Sequence, residues 1–432
     1  MSDIKTNVIK QTNWIMERIR NRDIPDNVRE RAKWILLDSI GCIISGMKGN
    51  KLPADEADRI MKSSAAMVST ELYEGNRFAI GHPASHIVPL MLEEVKTKEI
   101  TYGDMIATFI CAYEIAGRWG NAIRFSNDIL GHGTVMVAGA AVVEGIFHKL
   151  SEEDLTNYMM ICESIPEVST WQSVFEGSAL HDYYPGIAAL NARNALYMNK
   201  DNLHSSEKMI LSVYDNVIGA NIVEDNLIKD LGSQWFITKN YFKVHAGCRF
   251  IHPFADLIEE MLQREELHPA DIENIHIYTY KKAARLTSQA AENTLEAMFS
   301  IPVSIATLIV DRQLYDENIS NAVGNNRIRE LALRIFVAED DKYNLLLPNI
   351  RGGRVEITKN NGETIVKEGY HAKGDFDNPE EFTKNDLINK FNLITKKYMK
   401  KEVQQKLTDS ILNSADEMSA QDVLDSFYDL YR

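Results

Sequence analysis

Cysteine is scarce in this sequence of 432 residues, which contains only Cys42, Cys111, Cys162 and Cys248. The four are far apart and form no Cys-x-x-Cys pair, so they predict neither a zinc ribbon nor a disulfide framework. An iron–sulfur cluster held by cysteines is not expected either. Any chemistry that this chain performs should therefore depend on side chains alone, without a metal or another cofactor.

A long apolar run is also missing. No stretch is long enough to span a bilayer, and the N-terminal MSDIK lacks the apolar segment of a signal peptide. Basic residues are too few for a nucleic-acid binder, since 47 lysines and arginines stand against 62 acidic residues and the formal net charge is −15. We therefore expect a cytoplasmic protein that has neither a membrane nor a nucleic acid as partner. A small anion held at one local site remains compatible with this charge.

Strand-like alternation is nearly absent before residue 260, where apolar residues recur at the three- and four-residue spacing of amphipathic helices. The clearest helical segments are 29–45, 102–122, 133–149 and 185–198. Alternation appears in residues 275–280, and two further strand-like runs flank an NNG turn at 360–362, which predicts a hairpin. The last forty residues return to helical spacing.

These patterns predict a mainly α fold, with a large all-helical domain and a smaller inserted α+β lid domain. A chain of 432 residues with 45% hydrophobic content fits two to three domains and can bury a core. We expect the helical domain to be built from both ends of the chain, residues 1–264 and 386–432, with the lid domain at 265–385.

The most informative motif is KVHAGCRFIH at residues 243–252. It contains Lys243, Arg249, His252 and a second histidine, and such cations repel one another in a dry pocket unless an anionic ligand offsets them. A solvated basic loop is the alternative. Apolar residues on both sides favour a half-buried cluster, so the motif predicts an anion site that contains a base.

A histidine precedes a predicted helix at GHP, residues 81–83, where Pro83 suits the first helical turn. His82 could face an anion at the helix N-terminus, or cap the helix, or bind a metal together with His86 one turn later. A metal site needs a third ligand, and the sequence offers no obvious one. We therefore expect an anion-facing or capping histidine.

Two more histidines are candidates for proton transfer. His132, in GHGT at residues 131–134, precedes a helix rich in small residues and would lie beside free backbone N–H groups. His181 lies in a turn-rich stretch before another small-residue helix and could move a proton or simply pack.

With these segments in hand, the chain resembles the MmgE/PrpD family, which includes 2-methylcitrate dehydratase, cis-aconitate decarboxylase and iminodisuccinate epimerase. The resemblance runs nearly end to end and rests on six motifs in the family's order. They are LLDSIGC at 36–42, GHP at 81–83, HGT at 132–134, KVHAGCRFIH at 243–252, EAMFSIP at 296–302 and AKGDFDNP at 372–379.

The resemblance implies cofactor-independent chemistry at a carbon next to a carboxylate. A base removes a proton there, and a cationic pocket stabilises the enolate-like charge of a small di- or tricarboxylate. By position, the resemblance assigns His82, His132 and Lys243 to catalysis. His181 stands where the family has a lysine, and it is the fourth catalytic candidate.

Substrate-binding candidates come from the same motifs. Arg77 could clamp a carboxylate, and Glu74, or Glu71 in its place, stands where the family has an aspartate-rich stretch. The remaining candidates are His252, Arg249 and Ser300. The family's tyrosine after Phe-Ser-x-Pro is Val303 here, which should leave an apolar wall in the pocket and no proton to donate.

The reaction expected first is dehydration, in which His132 or His181 would have to supply the acid for the departing hydroxide. Decarboxylation, isomerisation or epimerisation in the same pocket, and a catalytically inactive carboxylate-binding protein, are the alternatives. The family also implies a homodimer through the helical domain, which is compatible with the small-residue helices at 133–147 and 185–198.

Overall fold

The computed structural model describes residues 3–126, 128–264 and 267–430. The fold is mainly α, as the spacing of apolar residues predicts. The predicted domain boundary at residue 265, and the chain ends at 1–2 and 431–432, lie outside the described residues.

Ten helices form the described chain up to residue 211. They are α1 Ile4–Asn21, α2 Asp26–Met47, α3 Glu56–Ser69, α4 Pro83–Thr97, α5 Tyr102–Ala122, α6 Val137–Phe147, α7 Glu152–Ser164, α8 Gln172–Phe175, α9 Leu180–Lys200 and α10 Glu207–Leu211. A π-helix, Ser212–Ile218, follows α10 directly, and short 3₁₀ turns lie at Glu224–Leu227 and Phe236–Lys239.

The later helices are shorter and alternate with strands. They are α11 His252–Gln263, α12 Thr294–Met298, α13 Ile301–Asp311, α14 Asp316–Ala322, α15 Asn326–Ala332, α16 Asp341–Asn344, α17 Lys384–Thr395, α18 Lys401–Asn413, α19 Ala420–Val423 and α20 Asp425–Asp429. Two further 3₁₀ turns lie at Pro269–Asp271 and Ala283–Arg285.

Eight strands occur in the described residues. They are β1 Ile123–Arg124, β2 Ile129–Leu130, β3 Ser169–Thr170, β4 Asn221–Ile222, β5 Ile272–Thr279, β6 Ile335–Glu339, β7 Gly353–Lys359 and β8 Thr364–Gly369. The first four form two short antiparallel ladders, β1 with β4 and β2 with β3. The last four form one sheet in the order β6-β5-β7-β8.

The larger sheet confirms the predicted hairpin, since β7 and β8 pair antiparallel around a turn in which Gly362 has a φ of +86°. β5 pairs antiparallel with β7 and parallel with β6. The sequence analysis missed β6, because its residues IFVA are all apolar and show no alternation.

The small-residue helix α6 packs inside the molecule, against α4, α5 and α9. A Cβ added at Gly139 would lie 2.9 Å from the carbonyl oxygen of Ala112, so the small side chains allow a close approach of two helices. Except for Ile146, every residue of α6 is buried. Of the two roles expected for its small residues, packing within the chain is the one seen here, and the homodimer stays a prediction.

The chain returns to the first helices at its C-terminal end. α17 and α18 pack on α2, and α17 begins with a capping box in which Thr383 and Asp386 satisfy each other's backbone N–H groups. Helices from both ends of the chain thus share one core, while the domain limits given above stay a prediction. No helix in the described residues is both long and apolar enough to cross a membrane.

Candidate active site

A cavity of about 540 Å³ is lined mainly by residues of four stretches of chain, 71–82, 121–132, 241–250 and 347–351. This volume suits a small organic ligand. Its wall brings together five of the predicted site residues, which are Lys243, His82, His132, Arg77 and Arg249. Residues that are far apart in sequence thus meet at one place, and Arg351 donates to the carbonyl oxygen of Arg77, 274 positions away.

Lys243 forms a fully buried ion pair. Its Nζ lies 2.6 Å from Oε2 of Glu71 and 4.9 Å from the centre of the Tyr73 ring. Glu71 has a φ of +48°, and its carbonyl oxygen accepts the N–H of Gly247 at 3.2 Å. The lysine is therefore balanced by a carboxylate of the protein itself, and the pair presents a positioned ammonium to the cavity.

His82 is the N-cap residue of α4, and its ring makes a separate hydrogen bond that is not part of the cap. Nδ1 lies 2.6 Å from the carbonyl oxygen of Glu74, which can only accept, so Nδ1 carries the proton and Nε2 is left free to accept one. Burial, and then the charge of Lys243, lowers the pKa of His82 well below its ordinary value. The ring is therefore neutral at pH 7 and can act as a base.

His132 lies across from His82, with ring centres 5.6 Å apart and ring planes perpendicular. Its Nε2 is buried and has no hydrogen-bond partner among the described residues. Burial, followed by His181 and His82, lowers the pKa of His132 well below its ordinary value. A second neutral imidazole thus borders the cavity, and it has an unused nitrogen.

His181 lies outside the cavity wall and contacts it through His132. The two imidazoles are stacked, with centres 4.8 Å apart and planes 13° from parallel, and Phe299 packs edge-on against the far ring. Nδ1 of His181 lies 3.1 Å from Oδ1 of Asp182. Burial raises the pKa of Asp182, while its histidine neighbour opposes that shift. A charge on His181 would therefore oppose protonation of His132.

The turn that carries His132 is fixed by His86, because the N–H of Gly133 donates to His86 Nε2 at 3.0 Å. Burial lowers the pKa of His86 to about 3, so this ring is neutral and its nitrogen is already used. Gly133 has a φ of +93°, which favours glycine. Since α6 begins only at Val137, the prediction that His132 lies at a helix N-terminus is wrong.

Glu74 lies beneath the site rather than in its wall. Its carboxyl group accepts hydrogen bonds from Tyr113 Oη at 2.7 Å and from the N–H of Ala84 at 3.0 Å, and its side chain is fully buried. Burial raises the pKa of Glu74 to about 8. The residue therefore anchors the first turn of α4, and through its carbonyl oxygen it orients His82.

Glu74→Gln should make the protein more stable than the wild type at pH 8.5 and equally stable at pH 4. The folded pKa of about 8 exceeds the ordinary 4.5, so the stabilisation from Glu74 is complete below pH 4.5 and is lost as the pH rises to 8. Glutamine stays neutral, and the gain at pH 8.5 should be on the order of a few kcal/mol.

Urea unfolding at a series of pH values measures this difference. Glu163 shares the same direction and size of pKa shift, but it is present in both proteins and cancels in the comparison. Stability curves that stay parallel from pH 4 to pH 8.5 would contradict the shift of Glu74.

Arg249 and Arg77 are cationic residues of the wall whose guanidinium groups have N–H donors that are not all hydrogen-bonded. Arg249 Nη2 lies 2.5 Å from Oδ1 of Asp375, and Arg77 pairs with Asp377. In the part of the chain that the structure describes, Nε and Nη1 of Arg249 and Nε of Arg77 are buried without a hydrogen-bond partner. Buried guanidinium donors are usually satisfied, so these open donors point to an anionic ligand.

Further cavity residues were missed by the sequence analysis. They include Arg124, Tyr241, Lys282 and Arg351. Burial, and then the charge of Arg351, lowers the pKa of Lys282, which indicates that the two cations share one region. The basic runs around residues 281–285 and 351–354 were the available signal. The wall thus has six lysines and arginines and one carboxylate, Glu71, among its described residues.

Cys248 also lines the cavity, within the motif at 243–252. Burial raises the pKa of its thiol to about 12, so the group is protonated at neutral pH. A protonated thiol is a poor nucleophile, and the geometry therefore favours acid–base chemistry over covalent catalysis at this position.

Two further sequence candidates, His252 and Ser300, also lie outside the wall. His252 is buried at the start of α11 with Nε2 3.4 Å from the carbonyl oxygen of Gly247. Ser300 Oγ accepts the N–H of Val303 at 2.9 Å and donates to the carbonyl oxygen of Ser288 at 2.6 Å, so it caps α13. Substrate binding by His252 and Ser300 stays a prediction.

Val303 lines a separate cavity of about 300 Å³, together with residues of α14, α15 and their surroundings. The apolar wall expected at this position is therefore not part of the cavity that contains Lys243 and the histidines. Phe299, which lies between α12 and α13, is the residue of this segment that lines the cavity with Lys243.

Sequence comparisons relate this chain to known proteins over most of its length. A sequence model of the MmgE/PrpD N-terminal domain matches residues 75–214, and one of the MmgE/PrpD C-terminal domain matches residues 245–416. Cis-aconitate decarboxylase of Aspergillus terreus (strain NIH 2624 / FGSC A1156) is 23% identical over 428 residues, covering 85% of each chain. The cis-aconitate decarboxylase-like protein oryM of Aspergillus oryzae (strain ATCC 42149 / RIB 40) is 22% identical over 475 residues, covering 93% of each.

Proposed function

Since this chain belongs to the MmgE/PrpD family, we propose that it is a cofactor-independent lyase that acts on a small di- or tricarboxylate by proton abstraction next to a carboxylate. The observation that carries this proposal is a pair of neutral, buried histidines beside the Lys243–Glu71 pair in a cationic cavity. Neutral imidazoles are bases, and the surrounding cations favour an anionic substrate.

The substrate carboxylates would bind on the arginine side of the cavity. Arg249 and Arg77 have unmatched donors there, and Arg351 and Lys282 add positive charge. Arginine binds a carboxylate through two parallel hydrogen bonds, which fixes orientation as well as affinity. The carbon next to the bound carboxylate can then face the two histidines.

Proton abstraction would use Nε2 of His82, since its Nδ1 proton is committed to the carbonyl oxygen of Glu74. As the proton leaves, negative charge spreads onto the adjacent carboxylate, and the Lys243 ammonium stabilises it. Glu71 holds that ammonium in place at 2.6 Å. Because the ion pair exists before the substrate binds, little reorganisation is needed during the reaction.

The acid for the departing group would come from His132 and the stacked His181. An anionic substrate raises the pKa of a nearby histidine, so its binding favours uptake of a proton by His132. Asp182, 3.1 Å from the stacked His181, adds a carboxyl group on the far side of that ring. His132 can then protonate a departing hydroxide, which makes dehydration the first candidate reaction.

Decarboxylation is the second candidate, because the two relatives named above are a cis-aconitate decarboxylase and a cis-aconitate decarboxylase-like protein. In that reaction carbon dioxide leaves, and the same His132–His181 pair would protonate the resulting carbanion. The cationic cavity serves both reactions, since each passes through charge next to a carboxylate.

A panel of small di- and tricarboxylates, including 2-methylcitrate and cis-aconitate, incubated in deuterated water and followed by NMR, tests the proposal. Loss of water or of carbon dioxide from one acid is the expected result. Deuterium exchange without net reaction would instead identify an isomerase, and thermal stabilisation alone a binding protein. Either of these two outcomes would overturn the lyase proposal.

Activity should survive removal of metal ions. Three groups of described residues have metal-ligand geometry: Glu94 with Glu144 and His148, His245 with Asp256 and Glu259, and His371 with Asp375 and Asp377. In each group at least one carboxylate already pairs with a lysine or arginine: Glu94 and Glu144 with Arg193, Glu259 with Lys373, and Asp375 with Arg249. A metal ion would have to displace those cations, which disfavours its binding.

The measurement is turnover after exhaustive dialysis against a chelator, with metal content checked by mass spectrometry. Unchanged turnover is expected. Loss of activity that one divalent metal alone restores would refute the cofactor-free proposal.

We also propose that two copies associate through the segment 165–223. Large apolar side chains are exposed there, including Tyr197 at 63%, Leu203 at 53% and Val217 at 77%. Exposed apolar surface of this kind is typical of protein contacts. Light scattering at micromolar concentration should give twice the 49.0 kDa of one chain, and Tyr197→Asp should shift the mass toward one chain. A wild-type monomer would contradict this proposal.

A further inference from the structure

We propose that the buried ion pair between Asp38 and Lys390 is a positioning device for the active site, and that it braces the segment 71–74 that carries Glu71 and Glu74. The two residues lie outside the wall of the cavity, one on α2 and the other on α17. The proposal rests on the proposed function only for its effect on turnover, since the brace itself can be measured without a substrate.

Lys390 joins two parts of the chain that are far apart in sequence. Its Nζ lies 2.5 Å from Oδ1 of Asp38 and 2.5 Å from the carbonyl oxygen of Leu72, at sequence separations of 352 and 318. The lysine and aspartate side chains are 6% and 1% exposed. One ammonium group therefore fixes α2, α17 and the segment after α3 to one another.

Asp38 is the second member of the pair, and its electrostatic environment includes the same segment. Burial raises the pKa of this carboxyl group, while the Lys390 ammonium and then the backbone N–H of Glu74 oppose the shift. The direct hydrogen bond from the pair to the segment is the one from Lys390 to Leu72. The next residue, Tyr73, packs its ring against Lys243 and His82.

The braced segment holds both halves of the catalytic arrangement. At one end, Glu71 binds Lys243 through its carboxylate. At the other end, the carbonyl oxygen of Glu74 accepts the Nδ1 proton of His82. A small displacement of residues 71–74 would therefore move the stabilising ammonium and the base together, and errors of about 1 Å in such positions can cost two orders of magnitude in rate.

Stability alone does not account for an ion pair at this place. The cost of removing two charges from water largely offsets their attraction, and apolar replacements of buried pairs are often neutral or stabilising. The ion pair fixes relative positions here, since the ammonium hydrogen-bonds both an aspartate oxygen and a backbone carbonyl oxygen. The pair also explains the aspartate in LLDSIGC at 36–42, which is otherwise an apolar stretch of α2.

The test uses Lys390→Met with Asp38→Asn, which removes both charges and so leaves no buried charge unpaired. Hydrogen exchange of the backbone amides in 70–77, followed by mass spectrometry, should become at least tenfold faster. With a substrate from the panel, kcat should fall at least tenfold while KM changes less than threefold, because the arginines of the wall stay in place.

The matched control is Arg29→Met with Asp416→Asn. This pair also joins α2 to the C-terminal part of the chain, at 2.5 Å, without contacting residues 71–74. It should leave exchange in 70–77 and kcat unchanged. Unaltered exchange in 70–77 for the Lys390 and Asp38 double variant would overturn the brace, whether or not a substrate has been found. A panel without turnover would refute the proposed function alone.

Discussion

Lys243→Met combined with Glu71→Gln should lower kcat at least a hundredfold while the protein stays folded. The buried ammonium of Lys243 is the lysine or arginine charge that lowers the pKa of both His82 and His132. Without it, nothing of equal charge stabilises the developing enolate. A hundredfold loss corresponds to about 2.7 kcal/mol of transition-state stabilisation.

The double change is needed because Lys243→Met alone would leave the Glu71 carboxylate buried and unpaired, which destabilises proteins strongly. Lys239→Met is the matched control, since Lys239 lies four residues earlier and bonds to the exposed Gln234. It should retain full activity. Steady-state kinetics beside a thermal unfolding curve separate the two effects, and near-normal kcat in the double variant would exclude Lys243 from the reaction.

The helical part of the fold could be predicted because its signal is local. In α5 the apolar spacing over 102–122 is continuous, and Thr101 caps its first turn. The hairpin of β7 and β8 could also be predicted, since its turn residues lie between two short strands. Strand β6 could not be predicted, because a parallel edge strand is defined by a distant partner strand and has no sequence pattern of its own.

The candidate site shows the same division. The motif at 243–252 indicated a cationic cluster, yet the partner of Lys243 is 172 residues away in sequence. Sequence proximity suggested that the lysine is crowded by cations, whereas the fold sets a carboxylate beside it. Arg351 and Lys282 reach the cavity from the segment between β5 and β7, and only the tertiary arrangement reveals that they face the histidines' cavity.

Of the predicted histidines, His82 and His132 line the cavity, and their contacts are ones that no sequence spacing encodes. His82 and His86 look like a metal-binding pair in sequence. In the fold the two residues have different contacts. His82 borders the cavity, whereas His86 Nε2 accepts the N–H of Gly133. The difference arises from the turn at 131–134, which packs over one side of α4.

His82→Asn should lower kcat by a factor of about 10² to 10⁴, the usual contribution of a general base. Asparagine can offer its side-chain N–H close to the place of Nδ1, so the bond to the carbonyl oxygen of Glu74 can form, and the reactive Nε2 is lost. Unfolding should therefore occur at nearly the wild-type temperature, and KM should change little because the arginines still bind the carboxylates.

The pH dependence distinguishes a lost base from a distorted site. Because the pKa of His82 lies well below its ordinary value, its base form is complete above that lowered pKa, and protonation of the base should cause no loss of wild-type kcat/KM until the pH falls below 6.5. In His82→Asn this acid limb should disappear or move. His204→Asn, at an exposed histidine outside the cavity, should reproduce the wild-type profile. A His82→Asn enzyme with wild-type kcat and an unchanged acid limb would assign proton abstraction to His132 instead, since that ring is the other neutral imidazole in the wall.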